Sequence, residues 1–154
     1  MRIIKYNQAD SKCKGERLIL NKLFFLIMIS FFASKLQAQD RGIHFDHNAS
    51  WNTILTKAKA ENKYIFVDCY TTWCGPCKYM DASVFPMEEV GNFFNDKFIS
   101  VKFQIDTTAN DTEKIKGQYK DAAFIKREYK VNGYPTYLFF NLDGQLHFIF
   151  RPKF

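Results

Sequence analysis

Apolar residues fall into short blocks along the chain, and the first block differs from the others. Residues 23–33 are apolar apart from Ser30, and six Lys or Arg residues precede them. Polar residues then lead to Ala38, a small residue suited to the position before signal-peptidase cleavage. The run is near half of the roughly 20 apolar residues that span a bilayer, so an uncleaved anchor is the alternative. The pattern predicts a signal peptide at 1–38 and one domain at 39–154.

The domain alternates between strand-like and helix-like patterns, without repeats or a linker. Continuous or alternating apolar runs predict strands, and apolar residues three or four apart predict helices. The predicted strands are 43–47, 64–70, 98–106, 137–141 and 146–150. The predicted helices are 50–62, 74–95 with a bend at Pro86, and 121–129, and the polar stretch 107–118 is predicted to be a loop. With a hairpin turn at Asp143–Gly144, this order predicts an α/β fold with a mixed sheet.

The strand predicted at 64–70 contains an isolated charge. Its sequence, YIFVDCY, is mostly apolar, as in a central strand covered on both faces, yet Asp68 lies within it. Cys69 should point to the opposite face, because side chains alternate along a strand. A buried, inert thiol is the simplest interpretation of Cys69, and a redox partner or an intermolecular disulfide is the alternative.

Composition and charge narrow the class of protein. Hydrophobic residues make up 47% and charged residues 25% of the 154 residues, which excludes a disordered chain. The net charge is +6, but residues 1–38 contain seven basic and two acidic residues and so carry +5 of it. The remaining domain is close to neutral. No basic patch is left to indicate a nucleic-acid partner.

The segment WCGPCK, at residues 73–78, places a C-x-x-C pair where a strand runs into a helix. Such a pair serves either as half of a zinc site or in redox chemistry. There is one pair only, and His44, His47 and His147 are not near it in sequence, so no metal is expected. A permanent structural disulfide is a further alternative, although so small a ring constrains the unfolded chain little.

The redox interpretation assigns different roles to the two cysteines. Cys74 lies at the start of the predicted helix, where partial positive charge and unpaired N–H groups stabilise a thiolate. Cys77 lies one helical turn further on, within reach of Cys74. It can therefore attack a mixed disulfide and release the reduced product.

At this point the chain resembles the thioredoxin-like superfamily, because WCGPCK matches the thioredoxin active-site motif letter for letter. The resemblance covers nearly all of residues 39–154. It implies a thioredoxin fold, with a central mixed β-sheet flanked by helices and a redox-active disulfide between Cys74 and Cys77. It implies no cofactor.

The resemblance also gives roles to three charged residues. Asp68 stands five residues before Trp73, the offset of the family's buried carboxylate, which exchanges protons with the buried cysteine through water. Burial would favour its neutral form and make it a usable acid and base. Lys102 resembles the lysine beside that carboxylate, with an edge-facing lysine as the alternative. Asp106 resembles the aspartate that closes the same strand.

Tyr134-Pro135-Thr136 resembles the family's cis-proline segment, which faces the cysteine pair, with a trans proline as the alternative. The family pairs the backbone before this proline with the substrate chain. The residues expected to bind substrate are Trp73, Gly75, Pro76, Tyr134 and Pro135.

Together with the predicted signal peptide, the resemblance predicts an exported enzyme that reduces protein disulfides. The Gly75–Pro76 dipeptide resembles that of the reducing members of the family. The expected location is the periplasm, with secretion or a membrane tether as alternatives, and the partners are disulfide-containing proteins. Because an oxidising compartment supplies no dithiol, a membrane electron donor is expected to recharge the pair. The alternative is that the protein works as an oxidant despite its dipeptide. The competing hypothesis is a redox-inert peptide-binding module or chaperone of the same fold.

The end of the sequence departs from the family pattern. The fold expects a final helix over one sheet face, but ten residues follow Gly144, enough for a strand. Either the sequence continues or one apolar face is left open. We therefore expect the C-terminal helix to be missing.

Overall fold

A computed structural model of the chain describes residues 41–47 and 49–152. The predicted signal peptide lies outside the described residues, and its boundary with the domain stays a prediction. Among the residues described, no helix combines the length and the apolar character that a membrane span requires.

The domain is built on a five-stranded sheet with the strand order β1-β3-β2-β4-β5. Strands β1, β2 and β3 are parallel, β4 is antiparallel to β2, and β5 is antiparallel to β4. The predicted mixed α/β sheet is therefore confirmed. The elements in chain order are β1 (Phe45–Asp46), α1 (Trp51–Glu61), β2 (Tyr64–Tyr70), α2 (Gly75–Tyr79), a π-helical turn (Met80–Val84), α3 (Glu88–Lys97), β3 (Phe98–Gln104), α4 (Glu113–Gly117), α5 (Tyr119–Glu128), β4 (Thr136–Phe140) and β5 (Leu146–Phe150).

Local sequence signals account for the limits of the first elements. Helix α1 begins after Ser50, whose hydroxyl accepts a hydrogen bond from the Thr53 N–H, and ends at Asn62, which is left-handed with φ 52°. Strand β2 has the predicted limits. Strand β1 is shorter than predicted, with two residues instead of five.

The prediction of one bent helix over residues 74–95 is wrong in detail. Helix α2 passes into the π-helical turn, and α3 begins only at Glu88. Pro86 lies in the break between them. A proline has no N–H to donate and its ring clashes with the preceding turn, so the chain restarts as a new helix instead of bending.

The stretch 107–118, predicted to be a loop, contains α4, which is a correction. Thr112 caps this helix by accepting a hydrogen bond from the Ile115 N–H. Helix α5 then begins at Tyr119, two residues before the predicted start. A threonine followed by charged residues is a weak helix signal, and the polar composition concealed it.

The two faces of the sheet bury different kinds of side chain. One face packs under α1 and α5 in an apolar cluster that includes Ile54, Val67, Cys69, Val101, Ile125 and Leu138. The other face carries a smaller aromatic cluster of Phe66, Phe85 and Tyr137, together with the charged pair Asp68 and Lys102. The charged pair and most of the apolar core therefore lie on opposite faces of the sheet.

The β4–β5 hairpin turns at Asp143–Gly144 as predicted, with Gly144 at φ 79°. Phe148 and Phe150 on β5 are 51% and 46% exposed. No helix follows β5 within the described residues. These two rings form an exposed apolar surface at this edge of the sheet.

The segment before β1 is held against α3 and against Phe85, which precedes that helix. The Ile43 N–H donates to the Phe85 carbonyl at 2.9 Å, and the Asn95 amide donates to the Gly42 carbonyl at 2.9 Å. A Cβ atom at Gly91 would lie 2.4 Å from the Gly42 carbonyl oxygen. Only glycine at position 91 allows this contact.

We expect Gly91→Ala to lower the free energy of unfolding by about 1–3 kcal/mol, because the methyl group must displace backbone atoms. Gly117→Ala is the matched control, since a Cβ there meets no atom within 4 Å. Alanine in that helix should be neutral or slightly stabilising. Urea unfolding of both variants tests this, and equal stabilities would contradict it.

Candidate active site

The cysteine pair lies at the start of α2, after the short loop that follows the central strand β2. Cys74 is the N-cap of α2, and its sulfur accepts a hydrogen bond from the Cys77 N–H at 3.1 Å. The two cysteines are joined by a disulfide, with 5.3 Å between their Cα atoms, and both are 3% exposed. A backbone N–H directed at the Cys74 sulfur would stabilise a thiolate there once the disulfide is reduced.

Asp106 fixes the loop that leads to the cysteines. Its carboxylate accepts hydrogen bonds from the Thr72 N–H at 3.0 and 3.1 Å and from the Thr72 hydroxyl. Since Asp106 follows β3, this contact attaches the end of one strand to the loop after its neighbour. The Cys74 N–H also donates to the Thr71 carbonyl at 3.2 Å, which tightens the turn before α2.

Asp68 and Lys102 form a buried ion pair on neighbouring strands. The Lys102 ammonium lies 2.9 Å from Asp68 Oδ2, and the two side chains are 9% and 2% exposed. Lys102 is therefore not the edge-facing lysine of the alternative interpretation. Burial raises the pKa of Asp68 to about 6, although the positive charge of Lys102 opposes the rise. Asp68 can thus exchange a proton near neutral pH.

A second carboxylate, which the sequence interpretation missed, reaches the same lysine. Asp81 in the π-helical turn accepts a hydrogen bond from the Lys102 ammonium, and its side chain is 44% exposed. The available signal was its spacing from Cys77, because residues four apart lie on the same side of a helix.

The expected substrate-binding residues differ in exposure, and the rings of two of them are in contact. The Tyr134–Pro135 bond is cis, as the resemblance implies. The Trp73 ring packs against the Tyr134 ring at 5.8 Å, nearly perpendicular to it. Trp73 is 69% exposed and Gly75 is exposed, whereas Pro76 and Tyr134 are half-buried and Pro135 is buried. Flat, exposed ring surfaces beside a disulfide suit contact with another polypeptide.

The third cysteine of the domain, Cys69, lies away from the disulfide and the ion pair. Cys69 is a free, fully buried cysteine in the apolar cluster, on the face opposite Asp68. Burial raises the pKa of the Cys69 thiol well above its usual value. Within residues 41–47 and 49–152 there is no group of three or more His, Cys, Asp or Glu side chains arranged to hold a metal ion.

Comparisons with known proteins agree with this geometry. Residues 51–151 match the thioredoxin-like domain family. An H-type thioredoxin of Chlamydomonas reinhardtii is 43% identical over 67 residues, which cover 44% of this chain and 57% of that protein. The thiol:disulfide interchange protein DsbD of Pseudoalteromonas atlantica is 33% identical over 91 residues, or 59% of this chain and 14% of that protein. The chain thus spans less than two thirds of either relative.

Solved structures share the fold. The solution structure of a candidate disulphide isomerase from Bacteroides thetaiotaomicron is 35% identical, with a TM-score of 0.56, and the match covers 73% of this chain and 82% of that one. The oxidoreductase DsbH, at 19% identity and a TM-score of 0.58, supports the fold alone. With the WCGPCK motif, the cis-proline and the family match over residues 51–151, the chain belongs to the thioredoxin-like family.

Proposed function

We propose that the chain is an exported thiol-disulfide oxidoreductase that reduces protein disulfides through Cys74 and Cys77. The observation that carries the proposal is the Cys74 sulfur at the start of α2, bonded to Cys77 and accepting a backbone N–H. The buried Asp68 supplies the proton acceptor that such chemistry requires.

In the first step, the Cys74 thiolate attacks one sulfur of the substrate disulfide. A mixed disulfide forms between Cys74 and the substrate, and the other substrate sulfur leaves as a thiolate. The hydrogen bond from the Cys77 N–H lowers the energy of the attacking thiolate.

In the second step, Cys77 resolves the mixed disulfide. Its thiol gives a proton to the Asp68 carboxylate, and its sulfur attacks Cys74 as the second substrate thiolate leaves. The bond between Cys74 and Cys77 forms, and two electrons have passed from the dithiol to the substrate. Asp68 acts here as a general base, and Lys102 positions its carboxylate.

In this proposal the docking surface for the substrate chain is formed by Trp73, Gly75, Pro76, Tyr134 and Pro135. The contact between the Trp73 and Tyr134 rings supports it, because the pair is partly exposed beside the disulfide.

Export to the periplasm and recharging by a membrane electron donor complete the proposal. The basic and apolar pattern of residues 1–38 supports export, and the domain at 39–154 would be the exported part. Similarity to part of a DsbD protein is consistent with a membrane-linked system of thiol exchange.

We expect Cys74→Ser to reduce insulin disulfides no faster than the uncatalysed reaction, because the attacking thiolate is lost. Cys77→Ser should accumulate the mixed disulfide, since no resolving thiol remains. Cys69→Ala is the control and should keep wild-type turnover. A redox-inert binding module would instead show no turnover in the wild type and equal binding of unfolded protein in all variants.

Asp68→Asn should slow the resolving step by about a hundredfold and leave the first attack unchanged. Only the ionised carboxylate accepts the proton, so the wild-type resolving rate should rise with pH through about 6, and the variant should lose that rise. Stopped-flow measurement of the mixed-disulfide lifetime against pH tests this, with the exposed Asp143→Asn as the control. An unchanged lifetime in Asp68→Asn would remove Asp68 from the proposed mechanism.

The reduction potential should be about −270 mV, in the range of reductants, and not about −120 mV, where strong oxidants lie. The expectation rests on the Gly75–Pro76 dipeptide. Pro76→His, which gives the dipeptide of isomerase-like members, should raise the potential. Equilibration with glutathione measures both, and an oxidising wild-type value would reverse the proposed direction of electron flow.

A further inference from the structure

Lys102 lies between two carboxylates of very different exposure. Its ammonium contacts Asp68, which is 2% exposed, on one side and Asp81, which is 44% exposed, on the other. The two acids come from different elements, β2 and the π-helical turn. One ammonium is therefore shared between a buried and a partly solvated anion.

The surroundings of the ammonium are aromatic. The Lys102 nitrogen lies 5.0 Å from the centre of the Phe45 ring, 4.9 Å from that of Tyr70 and 5.2 Å from that of Phe85. Ring faces attract a cation but offset only part of the hydration that burial removes. The ammonium therefore needs a carboxylate partner whatever the state of Asp68.

Asp81 satisfies that need when Asp68 is neutral. With Asp68 ionised, one ammonium faces two carboxylates, and the cluster carries a net charge of −1. When Asp68 takes up a proton, Lys102 and Asp81 remain as a neutral pair. Without Asp81, a protonated Asp68 would leave a buried ammonium with no anionic partner, a costly arrangement that would keep Asp68 ionised.

We propose that Asp81 is a positioning residue that holds the Lys102 ammonium while Asp68 carries the proton taken from Cys77. The proposal rests on the thiol-disulfide exchange proposed above and adds to it a second carboxylate. In the resolving step the Cys77 proton moves to Asp68, the bond between Cys77 and Cys74 forms, and the substrate thiolate leaves with the electron pair of the broken bond. Asp81 takes no part in the proton transfer.

The Asp81 side chain faces solvent on one side. A crevice lined by Arg41, His47, Tyr70, Asp81, Phe85 and Lys102 opens there. Solvent hydrates the Asp81 carboxylate on that side, so a negative charge costs little there, whereas Asp68 is enclosed. The change of charge in the proposed step is therefore assigned to the buried acid.

The other titratable groups near Asp68 do not take over this role. Burial raises the pKa of Tyr70 to about 12 and that of Tyr137 further, so both phenols stay neutral near pH 7. Burial and the positive charges of Lys114 and Lys102 lower the pKa of His47, which favours its neutral form. The titratable and charged groups on the elements around Asp68 are Lys102 on β3, Asp81 in the π-helical turn, Tyr137 on β4, Tyr70 on β2, Cys77 on α2, and Arg41 and His47 beside β1.

The coupling between Asp81 and the protonation of Asp68 is tested by titrating Asp68 in the full, oxidised chain. The carboxyl carbons of aspartate are labelled for NMR. In Asp81→Asn, Lys102 is committed to Asp68, so the ionised form gains and the Asp68 midpoint should fall by about one pH unit. Asp81→Glu should restore the wild-type midpoint. The matched control Asp96→Asn, also an exposed aspartate beside a lysine, should leave it unchanged.

An Asp68 midpoint that does not move in Asp81→Asn overturns the proposal, as does an equal shift in Asp96→Asn. Should Asp81→Asn lose its circular-dichroism signature of folding, Asp81→Ser provides a second neutral variant for the same titration. A merely structural role would lower the unfolding temperature without moving the midpoint.

Kinetics then connect the coupling to the reaction. The pH midpoint of the resolving step should move down with the Asp68 midpoint in Asp81→Asn, while the rate of the first attack stays within twofold of the wild type. A moved NMR midpoint with an unmoved kinetic midpoint would refute the role in resolution. Since the NMR titration needs no substrate, a wild type that reduces no disulfide would refute the proposed function separately.

Discussion

The buried ion pair between Asp68 and Lys102 is the interaction on which the cysteine-bearing side of the domain depends. An unpaired charge would cost several kcal/mol in the core, so an ionised Asp68 needs Lys102 beside it. Their pairing requires β2 and β3 to lie in the parallel register that sets Asp68 opposite Lys102. The same register brings Asp106, just after β3, against Thr72, and so fixes the loop that ends at Cys74.

The alternation of side chains along β2 lets one strand serve stability and chemistry together. Cys69 points into the apolar cluster under α1 and α5, whereas Asp68 points to the opposite face, which carries the ion pair. The folded state raises the pKa of Asp68 from 3.8 to about 6, so it binds more protons than the unfolded chain in that window. The free energy of unfolding therefore falls by roughly 3 kcal/mol as the pH rises from about 3.8 to about 6. The apolar face offsets this cost.

The sequence predicted β2, α1, the hairpin and the cysteine pair because each has a strong local signal: a continuous apolar run, a serine cap, an Asp-Gly turn, a C-x-x-C. Pattern alone could not show that Pro86 separates two helices, since the outcome depends on how the chain packs on either side. Helix α4 was not predicted, because its residues are mostly polar and show no apolar periodicity. Asp81 was missed because its importance arises from Lys102, which is distant in sequence and meets it only in the fold.

A proton acceptor in the core must change its charge without destabilising its surroundings. Burial favours neutral Asp68 and Lys102 favours ionised Asp68, and a pKa of about 6 shows that burial outweighs the lysine. A lysine given wholly to Asp68 would favour the ionised form more strongly, because an opposite charge at this distance lowers a carboxyl pKa by about 1–3 units. Because the Lys102 ammonium contacts Asp81 as well as Asp68, it stabilises the ionised form of Asp68 less strongly. Asp68 can therefore change between its protonated and ionised forms near neutral pH, which is what general acid–base catalysis requires.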